Sequence, residues 1–229
     1  MTQDRRTAAP RRAGLRLVAL IALSAIIQVG AASAASIAIS TGHLTAVTRS
    51  YGAPLTCTLT AVADSYVNKA LAASNFGTGT TLLVNADSTT TERAFARFDL
   101  TACSPAIPSD ALVQSAKVQL TISIAALATR TYELRRTTAG WVETTITWNL
   151  QPAVGSVTAS TTVTLGTGAG TVVEWTATGD VQAFVTGAAS NLGWRVGDSS
   201  EGIVLGTPLT FGSREAASGQ PKLVVTYLP

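Results

Sequence analysis

Arg93 and Arg97 flank Phe95 at two-residue spacing and Arg214 lies beside another strand-like stretch, whereas Arg135 and Arg136 are split across a strand and are expected to flank solvent. Guanidinium groups grip carboxylates through paired N–H donors, so arginines placed on one surface suit an acidic partner. Glu92 to Leu100 alternates so that Ala94, Ala96, Phe98 and Leu100 share one face of an extended chain, with Arg93, Phe95, Arg97 and Asp99 on the other. With the Phe98 face inward, Arg93 and Arg97 line an outer face beside Phe95, matched to the carboxylates of an acidic sugar chain. The competing role is structural, with Arg97 paired to Asp99 or another acid to hold strands together, and both readings stay open. Arg214 is followed by Glu215; adjacent strand residues point to opposite faces, so at most one of them reaches a shared site, and a salt bridge or loop tether competes for both. Among Trp141, Trp148, Trp175 and Trp194, an exposed indole face would suit a pyranose ring. Trp175 shares a predicted buried face with Val173, and Trp148 runs into a loop at Pro152, so core or rim packing is expected for most. Trp194, after Asn191-Leu192-Gly193, is the stacking candidate.

The remaining polar residues exclude more chemistry than they suggest. Asp64, Glu143, Glu174, Asp180 and Asp198 include no pair whose spacing marks the two carboxylates of a glycosidase, and no residue is assigned a catalytic role. A structural calcium ion is compatible with such carboxylates, yet no spacing specifies one, and no cofactor is expected. His43 is the single histidine and falls in a small, polar, aperiodic stretch, which removes histidine-dependent triads and zinc-hydrolase sites from the folded part. Phosphate-binding loops, nucleophile elbows and calcium-loop patterns are absent. Cys57 and Cys103 lack Cys-x-x-Cys spacing and are expected to form a disulfide.

The elements that must carry these residues are short strands. Lys117 to Ile124 alternates throughout, with Val118, Leu120, Ile122 and Ile124 on one face. Val172 to Trp175, Ile203 to Leu205, Leu209 to Phe211 and Leu223 to Tyr227 read as further strands, separated by Gly, Pro, Asn, Asp and Ser turns. A short helix is predicted around Gly179 to Thr186, with Thr178 as N-cap and Val181, Phe184 and Val185 packing on the sheets. Trp141 to Pro152 reads as a strand running into an ordered loop, fixed by two indoles. Roughly ten strands of this kind predict an all-β, two-sheet sandwich in one domain over residues 57–229, behind a flexible linker at 35–56.

Residues 1–34 have the form of an export signal. Arg5, Arg6, Arg11, Arg12 and Arg16 precede the uncharged run Leu17 to Val29, and Ala32-Ser33-Ala34 offers a small-x-small cleavage pattern. An uncleaved membrane anchor is the alternative, because no charge interrupts the chain between Arg16 and Arg49. Both place the domain outside the cytoplasm. The chain holds 16 basic and 13 acidic residues; setting aside the five arginines and one aspartate of residues 1–34 leaves 11 against 12. Such balance gives no electrostatic footprint for nucleic acid.

Five pieces in order resemble one family: Ala63-Asp64-Ser65-Tyr66-Val67 with Asn75-Phe76-Gly77; Ala96 to Leu100; Trp141-Val142-Glu143 through Trp148-Asn149 and Pro152; Trp175 leading into Asp180 to Val185 and Gly187; and Phe211 to Glu215 ahead of Pro221-Lys222-Leu223. Over about residues 60–228 the chain resembles the DNRLRE domain, also classed as carbohydrate-binding module family 96. The resemblance implies a jelly-roll-type β-sandwich from secreted bacterial proteins, a non-catalytic role and a polysaccharide partner, with alginate as the associated acidic glycan. A structural or adhesion module of the cell envelope, binding protein partners or acting as a spacer, is the alternative.

Overall fold

The structure is a computed structural model that describes residues 33–40 and 43–229, with side chains described from Ser50 onward. Alternating apolar residues generate ten strands beyond residue 54: Leu55–Asn68 (β3), Thr81–Val84 (β4), Glu92–Phe98 (β5), Leu112–Ile124 (β6), Arg130–Thr137 (β7), Val154–Val163 (β8), Val172–Thr176 (β9), Trp194–Asp198 (β10), Leu209–Gly212 (β11) and Lys222–Leu228 (β12). Their hydrogen-bonded path runs β4-β11-β6-β12-β3-β5-β10-β7-β8, with β9 beside β6, and every ladder is antiparallel.

Two long strands turn this path into a sandwich. The first half of β3 pairs with β12, and its second half pairs with β5 after a register shift between Ala61 and Ala63. That shift is a bulge at Val62, which stands 45% exposed and turns the strand from one sheet into the other. Likewise β6 pairs with β12 and β9 along most of its length, then with β11 at its end. The core between the layers holds Phe98, Leu120, Leu134, Trp175, Phe211 and Leu223, all at most 1% exposed. Burying aromatic and branched side chains of this size is the main driving force for the fold. The Cys57–Cys103 disulfide joins the first half of β3 to the turn after β5, and so ties one layer to the other.

The all-β sandwich expectation holds, and four local expectations change. Within and just before the 35–56 stretch expected as a linker, Ser33–Ser40 (β1) and His43–Ser50 (β2) pair as an antiparallel ladder, in keeping with the β-branched residues Ile37, Ile39, Thr45 and Val47. Ile203 to Leu205 is a turn instead of a strand, with Ile203 half-buried in a single bridge to Asp87 and Leu205 at φ 61° and 85% exposed. Ile124 leaves the buried stripe of β6 and is 59% exposed. The helix is Thr178–Val185 (α1), but Thr178 does not cap it; its Oγ1 accepts from the Ala116 N–H at 3.0 Å and pins the helix to β6. Val181 of α1 is fully buried, with Phe184 and Val185 packed against the core. The targeting segment, apart from Ser33 and Ala34, lies outside the described residues. Among the described residues no helix is long and apolar enough to cross a membrane.

Candidate functional site

Cross-strand register assembles an arginine-bearing surface on the outer side of the layer β3-β5-β10-β7-β8. Phe95 of β5 lies opposite Arg195 of β10, which lies opposite Arg135 of β7; one step along, Gly197 of β10 faces Glu133 of β7. Because side chains alternate, Arg93 and Arg97 of β5 share this face with Arg195 and Arg135. Glu201, from the turn after β10, reaches back over it: Arg93 Nε donates to its Oε1 at 2.9 Å and Arg93 Nη2 to its Oε2 at 2.5 Å. Arg93 also donates from Nη1 to Gln151 Oε1 at 2.8 Å, and its guanidinium lies 4.4 Å from the Trp148 ring centroid. Arg135 forks onto Glu133 Oε2 from Nε and Nη2, at 3.1 and 2.8 Å. Four guanidiniums therefore face two carboxylates.

The loop Trp141 to Pro152 crosses part of this face. It is an ordered loop throughout, without the predicted leading strand. Asn75 Nδ2 donates to the carbonyls of Glu143 and Ile146 at 2.7 Å each, and the Asn149 N–H donates to the Ala72 carbonyl. Trp141 Nε1 donates to the Leu192 carbonyl at 2.9 Å. Gly77 is required beneath it, since a Cβ there would collide with the Glu143 carbonyl and lie 2.8 Å from Glu143 Cγ. The underside of the loop forms a second small core from Trp141, Ile146, Phe95, Ala63 and Val67.

That covering corrects one aromatic candidate. Phe95 does share the outer face, but it is 1% exposed beneath Trp141, with ring centroids 5.9 Å apart, and offers no surface to a sugar. The other aromatic candidate, Trp194, is also 1% exposed: it belongs to the inner face of β10, its Nε1 donates to Asp180 Oδ2 at 2.8 Å, and Phe98 and Phe184 pack on it. Trp175 is core as expected, with its N–H satisfied by the Tyr132 carbonyl. Arg97 remains half-buried at the loop edge, 5.6 Å from the Trp141 ring centroid, beside a cleft of about 460 Å³ lined also by Asp99, Thr101, Phe184 and Asn191. It does not pair with Asp99, whose carboxylate accepts from Thr101.

Arg214 belongs to a separate polar cluster at the β3 bulge. Its Nε lies 2.9 Å from Glu143 Oε1 and 2.7 Å from Glu215 Oε1, and its Nη1 donates to the carbonyl of bulged Val62 at 3.0 Å. Buried Asp64 accepts the Arg214 backbone N–H at 2.7 Å, while its own N–H donates to Glu143 Oε1 at 2.8 Å. Burial raises the Asp64 carboxyl to about 7, reinforced by the charges of Glu215 and Glu143 and opposed by the Arg214 N–H. Asp64, Glu143 and Glu215 bring carboxylate oxygens within 4.8 Å of one another, the one such grouping among the described residues. Arg214 bridges both glutamates, so the trio fits an internal ion-pair lock, and a metal ion would have to displace that guanidinium.

The sequence profile of carbohydrate-binding module family 96 matches residues 55–227, from the start of β3 to the penultimate residue of β12. The chain belongs to that family. No curated protein matches it. For a family 96 module the outer arginine face is the candidate contact surface, and its two central residues were missed in the sequence. Arg195 stands beside the more conspicuous Trp194, and Arg135, expected to flank solvent, pairs with Glu133 on this face. The alternation in Trp194-Arg195-Val196-Gly197-Asp198 is the signal that could have placed Arg195 opposite the core.

Proposed function

We propose that this family 96 module is a secreted, non-catalytic binder of an acidic polysaccharide such as alginate, held on the outer face of the β3-β5-β10-β7-β8 layer. One observation carries the reading: on a face whose strands align Arg93, Arg97, Arg135 and Arg195, the carboxylates paired with these arginines among the described residues are those of Glu133 and Glu201. A surplus of guanidiniums on a rigid sheet complements regularly spaced carboxylates on a polymer. The disulfide and the arginine-led apolar segment of residues 1–34 support export. Non-catalytic action is supported by the carboxylates of Asp64, Glu143 and Glu215 being engaged with Arg214 instead of facing each other across a cleft.

Affinity electrophoresis of the purified protein through gels containing alginate, polygalacturonate, chitin or cellulose, with and without calcium, tests this reading. Retardation in the acidic gels alone is expected. Retardation only by neutral glycans, or equal mobility in all gels, overturns it. Sequencing the N-terminus of the exported protein is expected to give a start at Ala35, whereas an intact Met1 in the membrane fraction would make the segment an anchor.

A further inference from the structure

Arg195 sits at the centre of the outer face with its two neighbouring ion pairs already complete. Glu201 is held by Arg93, and Glu133 by Arg135, so neither carboxylate is committed to Arg195. The Arg195 guanidinium makes no hydrogen bond to the described protein, and its buried Nε has no acceptor. Gly197 leaves room beside it: a Cβ there would lie 3.3 Å from Arg195 Nη2, 3.5 Å from its Cζ and 3.0 Å from Glu201 Oε1. Burial and then the like charges of Arg93 and Arg135, against the pull of Glu201 and Glu133, lower its pKa to about 10, so it stays protonated at neutral pH.

A half-buried cation between two other cations, lacking an acceptor, is a costly arrangement in the free protein. Pairing it with an incoming anion removes that penalty, which makes the site selective for a charged group over a hydroxyl. We propose that Arg195 is the anchor for one carboxylate of the bound glycan, gripped by the N–H donors of its two Nη groups, with the Arg93–Glu201 and Arg135–Glu133 pairs fixing its position on either side. This inference rests on the acidic-polysaccharide reading and names the residue and the ligand group that carry it. Arg93, by contrast, has all three guanidinium nitrogens hydrogen-bonded and stacks on Trp148, so it is a positioning residue.

The test is calorimetric titration of the full chain with alginate oligosaccharides and with the same oligosaccharides after carboxyl reduction. Wild-type protein is expected to bind the first and to lose about tenfold or more against the second. Arg195→Gln is expected to lose a similar factor at unchanged melting temperature, and Arg195→Lys a smaller one, because it keeps the charge without the fork. The Arg195 Nε–H resonance of the wild-type protein is expected to shift on adding alginate oligosaccharide, a readout independent of whether either variant folds. Alginate binding that is equal in folded Arg195→Gln, or an unmoved Nε–H resonance in saturated wild type, overturns the anchor and leaves the acidic-glycan reading standing. Binding of neutral glycans only, or of the reduced oligosaccharides as tightly, overturns that reading and the anchor with it.

Discussion

At the scale of single residues, Asp64 shows how one buried carboxyl sets a pH response. Its folded-state pKa of about 7 lies above the ordinary 3.8, so the native protein holds a proton that the unfolded chain has lost. Stability from this group is therefore fully present below about pH 4 and declines as pH rises towards 7, by on the order of 4 kcal/mol. In EDTA, the calorimetric melting temperature of wild type is expected to fall between pH 5 and pH 8. Asp64→Asn keeps an acceptor for the Arg214 N–H, so it should flatten that fall and melt higher than wild type at pH 8. Parallel curves for the two proteins would refute the assignment. The motif residues of this cluster were legible in the sequence as separate pieces, Asp64, Glu143 and Arg214-Glu215. Their convergence was not, because it depends on a bulge at Val62 that no local pattern encodes.

Among the elements, the strands were legible wherever one face alternated cleanly, as in β5, β6 and β12. The loop Trp141 to Pro152 was legible in composition but not in placement: it carries no period, and its position over Phe95 follows from long-range contacts with Asn75, Ala72 and Leu192. This is why Phe95 read as exposed. Alternation showed correctly that it faces away from the main core, but could not show that a second core covers that side. Gly77→Ala tests the covering, since the new methyl group must push the Glu143 segment outward. A loss of roughly 1–3 kcal/mol is expected in urea unfolding, with a red-shifted tryptophan emission. An unchanged midpoint would show that the loop is not seated as described.

For the whole molecule, the disulfide is the covalent link between layers that otherwise communicate through β3 and the core. It closes a loop of 46 residues, for which chain entropy gives about 4 kcal/mol of stabilisation. Cys57→Ser/Cys103→Ser is expected to lower the melting temperature by about 8–16 °C while retaining the strand-rich circular dichroism of the parent. A melting temperature within a degree or two of the parent would show that the core alone fixes the layers.

The double covering of β5 also bears on the thermodynamics of recognition. Its inner side chains are locked in the sandwich, and the side chain at its outer midpoint is locked under an indole. The backbone beneath the arginines is thus immobilised before any ligand arrives, and little of the ordering entropy of docking falls on the protein. The rest falls on the polymer. A pre-stiffened stretch of glycan should then gain more from this surface than a flexible one carrying the same charges.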